Sequence, residues 1–239
     1  CPAHVPVQAY LRLAHEGKYR EALAMIKTEN PFPAVCGRVC NKRCESECTR
    51  GKIDAPVSID AVKKFVADLD LNAEDRFVPE KTVQSTHGAF DEKIAIIGGG
   101  PTGIAAAYFL GRAGIEATIF ERESCLGGVP RHVIPSFRIA NETIEKDIAL
   151  MEKYGVDVRC GAPAPSVKEL KAMGYTHILF AVGAWKPGKL EIAGDVAGAI
   201  QWMKGVKAGN ISVGGNIAVI GGGNTAMDAA RLAKRSGAE

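Results

Sequence analysis

Across residues 1–72 the apolar positions fall at helical spacing, and from Glu92 onward they gather into short continuous runs separated by helical stretches. Val7, Tyr10, Leu11 and Ala14 form one stripe and Tyr19, Ala22, Leu23 and Ile26 another, with Glu16-Gly17-Lys18 as the bend between them. Residues three and four apart share a helix face, so each stripe predicts a short amphipathic helix. Asn30-Pro31-Phe32-Pro33 stops the second helix, because proline lacks an N–H and clashes with the preceding turn. A third helix is expected from Ser58 as N-cap, burying Ile59, Val62, Phe65, Val66 and Leu69. Residues 72–91 are polar with few apolar anchors and read as a linker.

Beyond the linker the pattern alternates between strand and helix signals. Lys93–Ile97, Ala117–Phe120, Val156–Val158 and His177–Val182 read as strands, Ile104–Leu110 follows helical spacing, and Asn141 is placed as the cap of a helix to Tyr154. That alternation predicts an α/β unit with a parallel sheet. The expected fold is a helical, cysteine-rich domain with its linker over 1–85, a Rossmann-like domain over 86–205, and the start of a second nucleotide-binding domain over 206–239.

Two glycine loops carry the chemistry of these units. Ile97 runs into Gly98-Gly99-Gly100-Pro101-Thr102-Gly103, and Ile220 runs into Gly221-Gly222-Gly223-Asn224-Thr225-Ala226. In a dinucleotide-binding turn the first glycine makes the bend, the second lets the backbone approach the pyrophosphate, and the third packs the helix against the strand. Glu121 ends the strand after the first loop, where a carboxylate accepts ribose hydroxyls while phosphate sits at the helix N-terminus. The second loop has Ala226 at its third position and no accompanying ribose-binding acid or phosphate-binding arginine in this sequence. A βαβ unit whose glycines serve backbone geometry alone is the alternative. The start at Cys1 and the stop at Glu239, one helix into the second unit, lead us to expect a piece of a longer protein that does not bind its second nucleotide tightly by itself.

Composition narrows the class. An apolar content of 46% suits a globular protein, and a formal charge of +3 without a basic aromatic stripe argues against nucleic acid. No apolar run is long enough for a membrane span and no signal-peptide pattern opens the chain, so a cytoplasmic location is expected. No Gly-x-Ser-x-Gly, His-Glu-x-x-His or Walker motif supports a hydrolase or NTPase. His4, His15, His87, His132 and His177 are scattered, without metal-ligand spacing.

Five of the seven cysteines crowd the N-terminal region: Cys1, then Cys36, Cys40, Cys44 and Cys48 at four-residue intervals. Thiolates are soft ligands for iron–sulfur clusters or zinc. Zinc knuckles usually contain a Cys-x2-Cys pair, which is missing, so an iron–sulfur site leads, with zinc and a thiol-bearing helix face as alternatives. Cys125 and Cys160 lack a partner nearby in sequence, which disfavours a dithiol mechanism.

Asn30-Pro31-Phe32-Pro33 with Cys36-Gly37-Arg38-Val39-Cys40, Pro56-Val57-Ser58-Ile59, Gly127-Gly128 with Ile134–Arg138, and Gly221–Asp228 together give a resemblance over essentially the whole chain. The chain resembles the glutamate synthase small (β) subunit family, whose module recurs in dihydropyrimidine dehydrogenase, electron-bifurcating NADPH:ferredoxin oxidoreductases and selenate-reductase subunits. The resemblance implies two [4Fe-4S] clusters in the helical domain, FAD in the first nucleotide unit and NADPH in the second. It puts Gly98, Gly100, Pro101 and Gly103 at the FAD pyrophosphate and Glu121 with Arg122 at the adenosine. Gly127, Gly128 and Arg138 would lie along the rest of the flavin, with Ala181 and Gly183 at the strand end over it. For NADPH it supplies Gly221, Gly223, Asn224 and Ala226. Cys1, Cys40 and Cys44 would ligate one cluster and Cys48 the other, which needs further cysteines upstream. The family's fourth ligand, Glu or Gln, falls at Lys63; an ammonium cannot ligate iron, and Cys36 is the substitute we expect. The implied role is an electron-input module, with no acid–base residue, that delivers electrons to a partner catalytic subunit or domain. A nucleotide-binding interaction subunit with vestigial cofactor sites is the rival.

Overall fold

The computed structural model describes residues 1–82, 90–186, 188, 192–194 and 196–239. His87 and part of the expected linker lie outside the described residues. The N-terminal helices are α1 Val7–His15, α2 Tyr19–Lys27, α3 Pro33–Val39, α4 Arg43–Ser46 and α5 Ile59–Leu71. α1, α2 and α5 share a core of Tyr10, Leu23, Ile26, Ile59 and Val66. The Tyr10 hydroxyl donates to the Ile59 carbonyl at 3.2 Å, pinning α5 to α1. Two expected core residues of α5 face out instead: Phe65 is 48% and Leu69 43% exposed. Ser58 precedes α5 without a side-chain cap.

A four-stranded parallel sheet follows, with β1 Lys93–Ile97, β2 Glu116–Glu121, β3 Asp157–Cys160 and β4 His177–Phe180 in the order β3-β2-β1-β4. Ile96 pairs with Ile119 on one side and Leu179 on the other. The remaining helices are α6 Pro101–Arg112, α7 Gly128–His132, α8 Asn141–Ile148, α9 Val167–Ala172, α10 Ala199–Lys207 and α11 Asn224–Arg235. Asn141 is the first residue of α8 rather than its cap, and the stretch to Tyr154 continues as a 3₁₀ turn.

The apolar run that leads into Gly221 repeats the pattern of the run before Gly98, but it forms no strand. Residues 216–220 carry no ladder, and Ile220 is 62% exposed, so this segment pairs with no strand among the described residues. A strand draws its stability from neighbours, and sequence pattern cannot supply them.

The helical and α/β parts share one core. Phe32 and Val35 of the cysteine-bearing segment pack with Ile104, Tyr108, Ile144 and Tyr154, and the Tyr108 hydroxyl donates to the Lys27 carbonyl at 3.0 Å. The described part of the expected linker is tied down as well. Arg76 and the Phe77 N–H bond Asp70, and the Tyr154 hydroxyl donates to the Pro79 carbonyl at 2.6 Å.

Candidate flavin cavity and cysteine centre

Strand order reverses at β1, and a cavity of about 470 Å³ opens beyond the carboxyl ends of β1, β2 and β4. This is where doubly wound sheets bind ligands. Gly98 turns the chain out of β1 at φ +111°, and a Cβ there would stand 2.5 Å from the Ala181 carbonyl oxygen. Gly103 packs α6 onto the turn so closely that a Cβ would collide with the Gly98 carbonyl. Both glycines are demanded by the chain's own packing.

Gly100 is different. It caps α6 with an ordinary φ of −81°, and a Cβ there would find nothing nearer than Gly128 Cα at 3.8 Å. The space its missing side chain leaves opens on the cavity at the N-terminus of a helix, where backbone N–H groups attract phosphate. A dinucleotide pyrophosphate therefore fits.

Glu121 is buried at the end of β2 and lines the cavity. Its carboxylate accepts the Gly99 N–H at 2.6 Å and the Glu123 N–H at 2.9 Å, one on each oxygen. Each oxygen keeps a second lone pair for a ribose hydroxyl. Pro101, Arg122, Gly128, Ala181 and Gly183 also line the cavity. Gly103 lies behind it, and Gly127 acts through the backbone, donating to the Gly99 carbonyl at 2.8 Å. Arg138 is not among the lining residues: its guanidinium faces Asp228 of α11 at 3.6 Å. Sequence reasoning missed Trp185, Glu123, Pro163 and Ala164, which loops bring to the cavity. Cys125 and Cys160 are free thiols; burial, then the charges of Glu121 and Cys125, raises the Cys160 pKa.

At the second loop Gly221 turns at φ +131°, and Gly223 precedes α11 with no atom within 4 Å of a Cβ position. Asn224 starts the helix, and Ala226 is buried on it. The loop is formed and open without its strand.

The cysteine spacing does not put four thiols on one helix face. Cys36 sits on α3, Cys40 in extended backbone after it, Cys44 on α4 and Cys48 just before a 3₁₀ turn, with Lys42 at φ +57° breaking the run. All are free, and Cys1 is exposed. Among the described residues no three His, Cys, Asp or Glu side chains converge on a single metal ion. A cubane asks for something else, since its ligands bind different irons at separate corners. The donor set suits thiolate chemistry: backbone N–H groups of Val57, Arg50 and Gly51 hold the Cys48 thiol below its usual pKa, and Cys40 Sγ accepts the Lys42 N–H at 3.4 Å. Burial, then the charges of Cys44, Asp60, Cys40 and Glu45, pushes Tyr10 upward, so these acidic groups surround it.

Lys63 is buried, with Nζ 2.7 Å from Asp60 Oδ1. Burial opposes its charge, but Asp60, Cys36 and Cys40 outweigh that and raise its pKa. It stays a cation and cannot be a ligand. Cys36 Sγ lies 3.6 Å from Asn30 Oδ1, and its thiol is raised mainly by burial.

Residues 92–239 match the sequence profile of the pyridine nucleotide-disulphide oxidoreductases. The chain belongs to that family. Residues 1–75 match the profile "Dihydroprymidine dehydrogenase domain II, 4Fe-4S cluster". This pyridine nucleotide-disulphide oxidoreductase chain thus joins an iron–sulfur domain to a domain for FAD and NAD(P)H. It is 35% identical over 241 residues to the putative oxidoreductase YgfK of Escherichia coli K12, covering 98% of this chain and 23% of that protein. It is 34% identical to the NADP(+)-dependent formate dehydrogenase subunit beta of Moorella thermoacetica, over all of this chain and 37% of that subunit. It is 33% identical to the NAD-dependent dihydropyrimidine dehydrogenase subunit PreT of E. coli K12, over all of this chain and 58% of that subunit. The chain therefore spans less than two thirds of each of these relatives. No helix among the described residues is long and apolar enough to cross a membrane.

Proposed function

We propose that this chain is the electron-input module of a cytoplasmic oxidoreductase, taking reducing equivalents from NADPH and passing them to a partner catalytic subunit or domain. The observation that carries the reading is the cavity at the β1 switch point, with Gly100 left open at the head of α6 and Glu121 beside it. When bound, FAD supplies the exchange between a hydride donor and one-electron carriers. The chain's residues bind and orient. Gly98, Gly100 and Gly103 shape the pyrophosphate turn, Glu121 and Arg122 receive the adenosine, and the open loop from Gly221 to Ala226 receives NADPH. Cys1, Cys40, Cys44 and Cys48 are proposed as cluster ligands, with Cys36 in place of the carboxylate or amide that Lys63 does not provide. The relatives are named for different partner substrates, formate and dihydropyrimidine among them, which supports a shared pyridine-nucleotide half that exchanges electrons with different catalytic partners and leaves glutamate synthesis as one such partner reaction among several.

The test is flavin and iron content of the full-length protein with its NADPH-dependent dye reduction. FAD, iron and sulfide together with reduction support the reading; bound FAD that NADPH cannot reduce favours the interaction-subunit rival. A Cys36→Ala protein should lose iron and sulfide, and unchanged cluster content would remove Cys36 from the ligands. Glu121→Ala should weaken FAD retention by about tenfold or more, because two backbone N–H groups lose their acceptor as well as the ribose. Equilibrium dialysis against FAD reads this out.

A further inference from the structure

Trp185 is the feature of the cavity that neither the glycine pattern nor the family assigns. It follows Gly183 beyond β4, is half-buried, and lines the cavity together with Arg122 and Glu123 of the β2 end. Several contacts hold it. The Arg122 guanidinium lies 5.6 Å from the indole centroid and Lys204 Nζ 5.3 Å from it. Lys204 is itself fixed by Glu123 Oε1 at 2.7 Å, and the Gln201 side-chain amide donates to the Trp185 carbonyl. Gln201 and Lys204 both sit on α10, so the ring is braced by a regular element rather than by its own loop.

A braced indole at the edge of a phosphate-binding turn is a platform for a flat heteroaromatic ring joined to phosphate. Its position decides which ring. Glu121, the acceptor for ribose hydroxyls, directly precedes Arg122, so the adenosine end of a dinucleotide comes to the side where Arg122 meets the indole. We propose that Trp185, braced by Arg122 and Lys204, is the aromatic wall for the adenine of the flavin dinucleotide. This rests on the flavin reading above. It adds a recognition element that an FMN-sized ligand cannot use, and it couples the adenine subsite to α10, which packs on α11 of the second nucleotide unit.

Residues 1–239 contain two tryptophans, so Trp202→Phe leaves Trp185 as the one indole within them, and the part of the signal lost on Trp185→Phe reports it. In the flavin-stripped Trp202→Phe protein, ADP and FAD should quench the emission saturably and FMN at the same concentration should not. Trp185→Leu should weaken ADP and FAD binding about tenfold, the scale of one base stacked on an aromatic ring. Trp185→Phe should keep most of the affinity. Binding of ADP by Trp185→Leu as tightly as by a wild type that takes FAD would overturn the wall and leave the flavin reading intact. So would quenching by FMN equal to that by ADP. A wild type that binds neither FAD nor ADP would sink both. Circular dichroism checks each variant's fold, and if Trp185→Leu does not fold, the quenching contrast in the Trp202→Phe protein decides.

Discussion

A Gly103→Ala protein should lose its flavin and about 3 kcal/mol of stability, the upper end of what overpacking costs. Helix propensity taken alone favours the change, because Gly103 lies inside α6, where alanine is intrinsically better than glycine by about 1 kcal/mol. The packing that the glycine motif implies overrides that preference, and the structure shows why. A Cβ at 103 would run into the Gly98 carbonyl on the turn that shapes the cavity, and its next contact would be Ile96 of β1 at 3.2 Å. α6 would have to back away from β1, carrying Gly100 and its helix N-terminus off the pyrophosphate position. Chemical denaturation with flavin retention on gel filtration reads out both effects; a stable, yellow Gly103→Ala protein would show the contact to be soft. Ala226 stands at the corresponding place in the second loop without such crowding: even a Cβ added at Gly221 would meet the Ala226 Cβ only at 3.5 Å, an ordinary contact.

Replacing Asp147 with alanine should cost about 3 kcal/mol at pH 7, read as a lower urea midpoint. Asp147 is 2% exposed on α8, and one carboxylate oxygen accepts the N–H groups of Ala34 and Val35, each at 3.0 Å. These are first-turn donors of α3, which have no partner within their own helix. Truncation leaves two buried N–H groups unpaired and takes an anion from beside Lys27 and Arg76. Because α3 carries Cys36 and leads into Cys40, the same change loosens the cysteine centre from the flavin unit. Burial raises the Asp147 pKa from 3.8 to about 6, against the pull of the two N–H bonds and the nearby cations. A raised carboxylate pKa means that the folded protein binds more protons than the unfolded chain between those values. Its contribution to stability therefore falls as pH rises from about 4 to about 6, by on the order of 3 kcal/mol, and is level above that. Asp147→Asn should flatten this slope in urea melts at pH 4.5 and 7; an unchanged slope would move its origin elsewhere.

Both predictions turn on contacts between elements, and so does the division between what was legible in the residues and what was not. Period and punctuation determined the local structure. Stripes at three and four residues gave α1 and α2, Asn30–Pro33 ended α2, short apolar runs gave β1, β2 and β4, and Gly98 with Glu121 marked the end of the sheet where the cavity opens. Those signals are local because hydrogen bonding and φ limits act over a few residues. The tertiary structure decided the rest. It turned Phe65 and Leu69 outward, left residues 216–220 without a ladder, broke the cysteine run at Lys42, sent Arg138 to Asp228 and brought Trp185 to the cavity wall. It also tied the helical and α/β parts together through Asp147, across more than a hundred residues. Burial, strand pairing and charge partners depend on which distant surfaces meet, and the order of residues along the chain carries that only through the fold.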